Sequence, residues 1–234
     1  MESIQAKVNQ IRDLTQDVRE LELILWKPKD ISFKAGQFIS FDVPKEGNPY
    51  PVTRPYSIAS PPSTSDRVLL LFNLVQGGPG STYLYRLREG DLVSFKGPAG
   101  SFTLREDATK RILFVATGTG IAPFRSMILS QLERNRSQSM TLFWGVRSER
   151  DLYFQDEFQD LADQYPHFSF VTTLSQAGPE WTGARGRVSH LVQERVTSVR
   201  DLAVYLCGNG SMIKDMTSFI QGKGLCPIYR EKYY

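Results

Sequence analysis

The periodicity of the chain changes once, and that change constrains the fold more than any other feature. Up to about residue 105 the apolar residues fall in short runs, each of strand length. The runs are Ile4–Gln10, Val18–Leu25, Phe38–Val43, Tyr56–Ala59, Val68–Val75 and Leu92–Gly97. Gly and Pro clusters separate them at KAGQ, PKEGNPYP, SPPS and QGGPG, which is the punctuation of strands rather than helices. An antiparallel β-barrel over residues 1–105 is predicted. Its helical interruption is Ser81–Arg88, STYLYRLR, with Ser or Thr placed to cap a short apolar-periodic stretch. After the charged linker Arg105–Lys110 the grammar is different. Strands at Ile112–Ala116, Thr141–Gly145, His167–Thr173 and Ala203–Leu206 alternate with helices at Ala122–Glu133, Phe154–Gln164, Val188–Glu194 and Ser211–Gly222. Such alternation makes a parallel sheet with right-handed crossovers, so residues 106–234 are expected to form an α/β domain.

Composition excludes several alternatives. The 234 residues amount to about one and a half typical domains, which suits such a pair. A 41% hydrophobic, 23% charged chain is globular rather than disordered. The net charge of +3 gives no reason to expect nucleic acid. Two cysteines, Cys207 and Cys226, are too few for a disulfide framework, a four-cysteine zinc site or a protein-held iron–sulfur cluster. A reduced, cytoplasmic protein is the expectation. The opening MESIQAKVNQIRDL lacks a basic segment followed by a long apolar one, so no signal peptide is expected. The longest uncharged run, Val68–Tyr85, is broken by QGGPGST and reads as a strand and loop, not a membrane span. His167 and His190 lack the spacing of paired metal ligands and are read as structural, with no metal site expected. Nothing in the sequence marks an oligomeric state.

Four segments carry candidate chemistry. Thr117–Pro123, TGTGIAP, follows the strand ILFVA and opens a helix. Its glycines permit a tight turn and close approach, and the helix N-terminus offers N–H groups to a phosphate. A tight turn without a ligand has the same signature. Cys207–Gly210, CGNG, repeats the arrangement after the strand AVYLC, though a small cysteine buried at a strand end is the commoner situation. In the first half, Arg54–Ser57, RPYS, places Arg54 and Tyr56 on one face of a strand and Ser57 on the other. Gly78–Thr82, GPGST, offers a second helix N-terminus for phosphate. Either of these two segments alone is compatible with ordinary barrel surface and turn.

Taken together and in order, RPYS, GGPGS, GPAGSF, TGTGIAP, FWGVRSERDLYFQDEF, CGNGSMIKD and the terminal EKYY resemble the ferredoxin–NADP reductase superfamily across nearly the whole chain. The resemblance implies a flavin-binding antiparallel barrel followed by a nicotinamide-dinucleotide domain. It assigns Arg54 to a flavin pyrophosphate, hence FAD rather than FMN. Tyr56 would stack on the isoalloxazine, and Ser57 would hydrogen-bond near its N5. Gly80, Ser81 and Thr82 would hold the pyrophosphate. Thr117, Gly118 and Gly120 would contact NAD(P)H, with Cys207 and Gly208 beside the nicotinamide. In the tail, Tyr234 would cover the flavin, with Tyr233 and Tyr229 as alternatives, and Glu231 would share a hydrogen-bond network with Ser57.

Members that use NADPH often carry Ser-Arg where this chain has Ser175-Gln176, a slight pointer to NADH. Arg147, Arg185 and Arg187 remain as candidate phosphate partners or as solvated loop arginines. The implied activity is hydride transfer between NAD(P)H and FAD. Ser57, Cys207 and Glu231 would tune geometry and proton supply. With no iron–sulfur module in the chain, electrons would pass to a separate ferredoxin, flavodoxin or oxygenase component, or to free flavin. A non-catalytic flavin-bearing subunit of a larger redox complex is the alternative, and a flavin-free nucleotide-binding regulator a third.

Overall fold

The computed structural model describes residues 3–105 and 111–233; beyond Arg105, the segment expected to link the domains lies outside them, as does Tyr234. The described residues up to Leu104, together with Ala122–Ser130, form one compact unit, and the rest form a second.

In the first unit β1 (Ser3–Asp13), β2 (Val18–Lys27), β3 (Phe38–Lys45), β4 (Asn48–Ser57), β5 (Arg67–Asn73) and β6 (Leu92–Ala99) make one six-stranded sheet. Its order is β4-β3-β6-β1-β2-β5 and every pair is antiparallel. The sheet curls until its edges approach, and an antiparallel bridge joins Ile58, just past β4, to Leu70 of β5. Period-two alternation explains the curl. Ala6 and Val8, Leu21 and Leu23, Ile39 and Phe41, and Leu70 and Phe72 all enter one buried cluster. The helix α1 (Pro79–Arg86) adds Leu84 to the same cluster.

Two local expectations change here. The strand expected from Tyr56 begins at Asn48, because Pro49, Pro51 and Pro55 lie on an edge strand, where a missing N–H is tolerated. The helix expected from Ser81 begins at Pro79, with Gly78 as its N-cap and no side chain capping it. Proline's fixed φ suits the first helical turn, so it and not the serine sets the start.

The helix α2 (Ala122–Glu133) has the bounds its periodicity predicts. Its first part falls within the first unit, a contribution that a boundary after residue 105 leaves out. The causes are specific. Ser126 Oγ donates to the Ser60 carbonyl at 2.7 Å, Arg125 donates to the Ala59 carbonyl at 3.0 Å, and Phe124 lies against Phe102.

In the second unit β7 (Arg111–Thr117), β8 (Ser139–Val146), β9 (Phe168–Leu174), β10 (Ala184–Arg185), β11 (Leu202–Gly208) and β12 (Ile228–Lys232) form a parallel sheet in the order β10-β9-β8-β7-β11-β12. The helices α3 (Gln155–Gln164), α4 (Val188–Arg195) and α5 (Gly210–Lys223) lie between its later strands. Chain order runs outward from β7 in one direction and reappears on its other side with β11. The strand order therefore reverses between β7 and β11, and their C-terminal ends flank the crevice where doubly wound sheets bind ligands. β11 is buried along its whole length, as a central parallel strand must be.

On the first unit, Glu20 is only 2% exposed and is paired with Arg12, its cross-strand partner. Arg12→Ala would leave that carboxylate buried and alone. Allowing for the solvent-facing side of the pair, a loss of about 2 kcal/mol in urea denaturation is expected. Adding Glu20→Leu should recover most of it.

Candidate active site

Strand alternation and one glycine build the site of the first unit. Along β4 the residues Val52, Arg54 and Tyr56 are half-buried, Thr53 and Pro55 are exposed, and Ser57 is buried at the strand's end. Across the ladder Arg54 lies opposite Phe41 and Tyr56 opposite Ile39. Gly80, in the first turn of α1, fits directly against this face. A Cβ there would lie 2.4 Å from Tyr56 Oη and 2.9 Å from Cβ and Cγ of Arg54. The close approach brings the guanidinium-bearing residue to the uncapped helix N-terminus, so two sources of positive potential converge. Arg54 donates to the Thr53 carbonyl and makes no ion pair among the described residues. Such a constellation suits a pyrophosphate.

The other expected flavin residues are placed as follows. Tyr56 is held edge-on by Phe41 and Phe72, at centroid distances of 6.0 and 5.6 Å. Ser81 turns its hydroxyl back into the preceding loop, accepting from Val75 N and lying 3.3 Å from the Val75 and Gly78 carbonyls. Its side chain shapes the loop, which leaves main-chain groups as the donors of that turn. Thr82 belongs to the same helix, its amide bonded to the Gly78 carbonyl.

In the second unit the two glycine-bearing turns meet. Gly118 takes φ of +53° where β7 passes into a 3-10 turn, Gly118–Ile121, ahead of α2. Gly208 takes φ of +127° at the end of β11, and Asn209 caps α5 by accepting from Ser211 N at 2.8 Å. A Cβ on Gly120 would lie 2.6 Å from the Cys207 carbonyl oxygen, and one on Gly208 would lie 2.2 Å from Thr117 Oγ1. Only glycines permit this main-chain approach. Asn209 N donates to Thr117 Oγ1 at 2.9 Å, and Trp144 Nε1 donates to the Gly118 carbonyl at 3.0 Å.

The strand β12 finishes this site, and the sequence reading missed it. Its signal was weak: a five-residue strand, IYREK, with only two apolar residues and three charged ones. Pairing with β11 sets Glu231 opposite Cys207 and Lys232 opposite Gly208, and Tyr233 N donates to the Gly208 carbonyl at 2.9 Å. Cys207 is fully buried. Burial first, and then the Glu231 carboxylate, push its thiol well above the ordinary 9.0, against the opposing pull of a hydrogen bond with Tyr233. At neutral pH it is a neutral thiol, not a nucleophilic thiolate.

Of the three arginines considered for the adenosine end, Arg185 is removed from candidacy. Its guanidinium donates to the carbonyls of Ala177, Gly178, Pro179 and Trp181 and so holds the loop after β9 in shape. Glu149 fastens the same loop by accepting from Gly178 N at 2.7 Å. Arg147 and Arg187 are exposed, with no ion pair among the described residues. Among those residues there is also no cluster of three or more potential metal ligands, and no helix is long and apolar enough to cross a membrane.

A curled antiparallel unit with a guanidinium beside a helix N-terminus and a parallel unit with paired glycine turns at its switch point are the architecture of a flavin- and nicotinamide-dependent oxidoreductase, and the family matches agree. Residues 5–104 match the oxidoreductase FAD-binding domain family, and residues 114–218 match the oxidoreductase NAD-binding domain family. The chain is 36% identical to ferredoxin–NADP reductase B of Sorangium cellulosum (strain So ce56), over 99% of this chain and 98% of that one. It is 34% identical to the reductase component DmpP of phenol 2-monooxygenase from Pseudomonas sp. (strain CF600), of whose length it spans 66%. Among solved structures, the cytochrome P450 reductase GcoB of Amycolatopsis superimposes with a TM-score of 0.88 at 30% identity, covering 99% of this chain and 69% of that one. A ferredoxin NADP+ reductase from Neisseria gonorrhoeae with bound FAD and NADP does so with a TM-score of 0.85 at 23% identity, covering 100% of both. The chain belongs to the ferredoxin–NADP reductase superfamily.

Two outcomes follow from the geometry. Gly80→Ala should push Arg54 and Tyr56 aside and weaken FAD binding about tenfold, the worth of one charge-assisted hydrogen bond, as measured by flavin retained on dilution. For Cys207 the raised folded pKa fixes the sign. Its contribution is whole below the unfolded value of about 8.5 and shrinks as pH rises beyond it, because only the unfolded chain releases its proton there. Stability curves of wild type and Cys207→Ala should therefore run parallel below about pH 8. Above it the wild type should fall more steeply, by up to about 1.4 kcal/mol per pH unit.

Proposed function

We propose that this chain oxidises a reduced nicotinamide coenzyme and passes the electrons through FAD to a separate electron-carrier protein, a ferredoxin, a flavodoxin or an oxygenase component. The observation that carries the reading is the meeting of Arg54, Tyr56 and the uncapped start of α1 over Gly80. A cation and a helix N-terminus bind the pyrophosphate there, and an aromatic ring held by Phe41 and Phe72 lies one strand repeat away. FAD supplies the step the protein cannot, taking electrons as a pair from the nicotinamide and releasing them singly or in pairs.

The chain's own residues bind and orient. Arg54 neutralises the pyrophosphate, Tyr56 offers its ring to the isoalloxazine, and buried Ser57 holds a hydroxyl for it. The first-turn residues Gly80 and Ser81 present main-chain N–H groups, and Thr82, whose own N–H is bonded to the Gly78 carbonyl, anchors the turn that carries them. Thr117, Gly118 and Gly120 form the turn that takes the dinucleotide, opposite Cys207 and Gly208. Cys207, neutral and sealed beneath these turns, backs the nicotinamide site without competing nucleophilic chemistry. Glu231, beside it in the ladder, is the candidate for proton supply. Tyr234 keeps its role as a flavin cover from the resemblance alone. A reducing, cytoplasmic setting suits the two free thiols.

Coenzyme choice follows from the arginines. With Gln176 neutral and Arg185 committed to four carbonyls, fewer cations remain for a 2′-phosphate, which favours NADH. NADH should exceed NADPH in kcat/KM by about tenfold, the worth of one charge-assisted hydrogen bond.

The purified chain should be yellow, release FAD on denaturation and reduce ferricyanide with NADH. Flavin that is bound but reduced by neither coenzyme would refute the enzyme reading and favour a flavin-bearing subunit. Ser57→Ala should retain FAD and slow its reduction in stopped flow by about a hundredfold, the low end of what positioned proton-handling groups contribute.

A further inference from the structure

We infer that Glu149 is a specificity-determining residue for the coenzyme: its carboxylate, tied into the loop after β9, repels a 2′-phosphate and so favours NADH over NADPH. This deepens the proposed function and rests on its reading of the β7 and β11 turns as the coenzyme's binding turns.

All strand pairs of the second unit are parallel, so the C-terminal ends of its strands share one edge of the sheet. A dinucleotide with its nicotinamide at the end of β11 and its middle at the Gly118 turn after β7 continues along that edge over β8 and β9. Neighbouring strands lie about 4.8 Å apart, which puts the ends of β8 and β9 within reach of the adenosine half.

The two segments that leave β8 and β9 are zipped together there. Ser175 N donates to the Val146 carbonyl at 3.0 Å and Gln176 N to the Arg147 carbonyl at 2.7 Å. These bonds carry the ladder past its last pair, Val146 and Leu174. Glu149 adds the next rung with its side chain, Oε1 accepting from Gly178 N at 2.7 Å. Both ends of that rung are fixed. Ser148 and Asp151 close a capping box around the 3-10 turn Glu149–Asp151, and Arg185 donates to the Gly178 carbonyl at 2.9 Å.

The charge therefore has a fixed place. Glu149 is exposed and makes no ion pair among the described residues. Its carboxylate is tied two residues beyond Gln176, at a separation over which charges still act on one another in dilute salt. Arg147, Arg150 and Arg187 are also exposed and pull an anion the other way, so the carboxylate offsets them. A 2′-phosphate brings about two negative charges to this edge, where the 2′-hydroxyl of NADH brings none. The penalty falls on the phosphorylated coenzyme alone.

Glu149→Gln separates the charge from the tie. Its amide oxygen can still accept from Gly178 N, and the negative charge is gone. The FAD-loaded protein and this variant are titrated by calorimetry with adenosine 2′,5′-bisphosphate and with adenosine 5′-monophosphate. In about 10 mM salt the variant should bind the bisphosphate about fivefold more tightly than wild type, and the monophosphate within about 1.5-fold. In about 1 M salt, where charges are screened beyond about 3 Å, the gain should fall to within about 1.5-fold. At low salt kcat/KM should rise by the same factor for NADPH and stay level for NADH.

A bisphosphate affinity that Glu149→Gln leaves unchanged overturns the inference. So does a gain shared equally by both nucleotides, or one that persists at high salt, since either marks a rearranged loop and not a charge. Nucleotides bound with the expected pattern by a chain whose flavin neither coenzyme reduces would uphold the inference and count against the proposed function. Binding of neither nucleotide would overturn both.

Discussion

Between the ends of β7 and β11 the main chain runs against itself with no side chain in between. Gly120 sits where a methyl group would strike the Cys207 carbonyl, and Gly208 sits where one would strike Thr117. These two absences let neighbouring strands end in turns that touch. The Thr117 hydroxyl can then take the Asn209 N–H, and α5 can begin at once. Because the strand order reverses at this place, the touching turns form the floor of a crevice and not a buried joint. Cys207 is sealed beneath it, and β12 returns alongside so that Glu231 and Tyr233 close over the thiol. A larger residue at either glycine would separate the turns, and the enclosure of Cys207 would open with them.

The first unit solves the same problem by the same means. Pyrophosphate binding asks a helix N-terminus and a guanidinium to occupy one place, yet each brings bulk. Gly80 removes the bulk on the helix side, and the two-residue repeat of β4 puts Arg54 and Tyr56 on the face it meets. The curl that joins Ile58 to Leu70 also lets Tyr56 reach Phe72 on the far edge strand. The ring's orientation is therefore a property of barrel closure, not of the RPYS segment alone.

Much of this was legible before the structure because it depends on short-range pattern. Alternation revealed the barrel strands, β-then-α alternation revealed the parallel sheet, and α2 has the bounds its periodicity gives. Glycines after strands marked both turns. What stayed hidden was set by contacts remote in sequence. The helix starts at Pro79, and Ser81, the expected cap, bonds back to Val75 instead. Pro49 and Pro51 read as loop until the sheet order shows β4 at its edge. β12 has no period of its own and is a strand because β11 offers it a ladder. The attachment of Ala122–Ser130 to the first unit rests on Ser126 and Arg125 finding the carbonyls of Ser60 and Ala59, a match no local window contains.

The arginines show why such remote contacts matter for function. Arg54, Arg147, Arg185 and Arg187 are equal as letters, Arg54 read on a strand and the other three as loop arginines, each a candidate phosphate partner. Hydrogen-bond accounting separates them. A guanidinium has five donors, and Arg185 directs its own at four carbonyls of one loop, so presenting it to an anion would unfold that loop. Arg54 gives one bond to its neighbour's carbonyl and keeps the rest of its fork for a ligand. Arg19 is committed in the way Arg185 is, between Asp13 and the Tyr85 carbonyl. The useful quantity is therefore not how many cations surround a crevice but how many donors the fold has left unspent. By that measure Arg54 keeps donors for the proposed pyrophosphate, while Arg147 and Arg187, the arginines proposed for the adenosine side, are exposed and make no ion pair among the described residues. A coenzyme with a 2′-phosphate would have to order those side chains on binding and offset their lost freedom, whereas one without it would not.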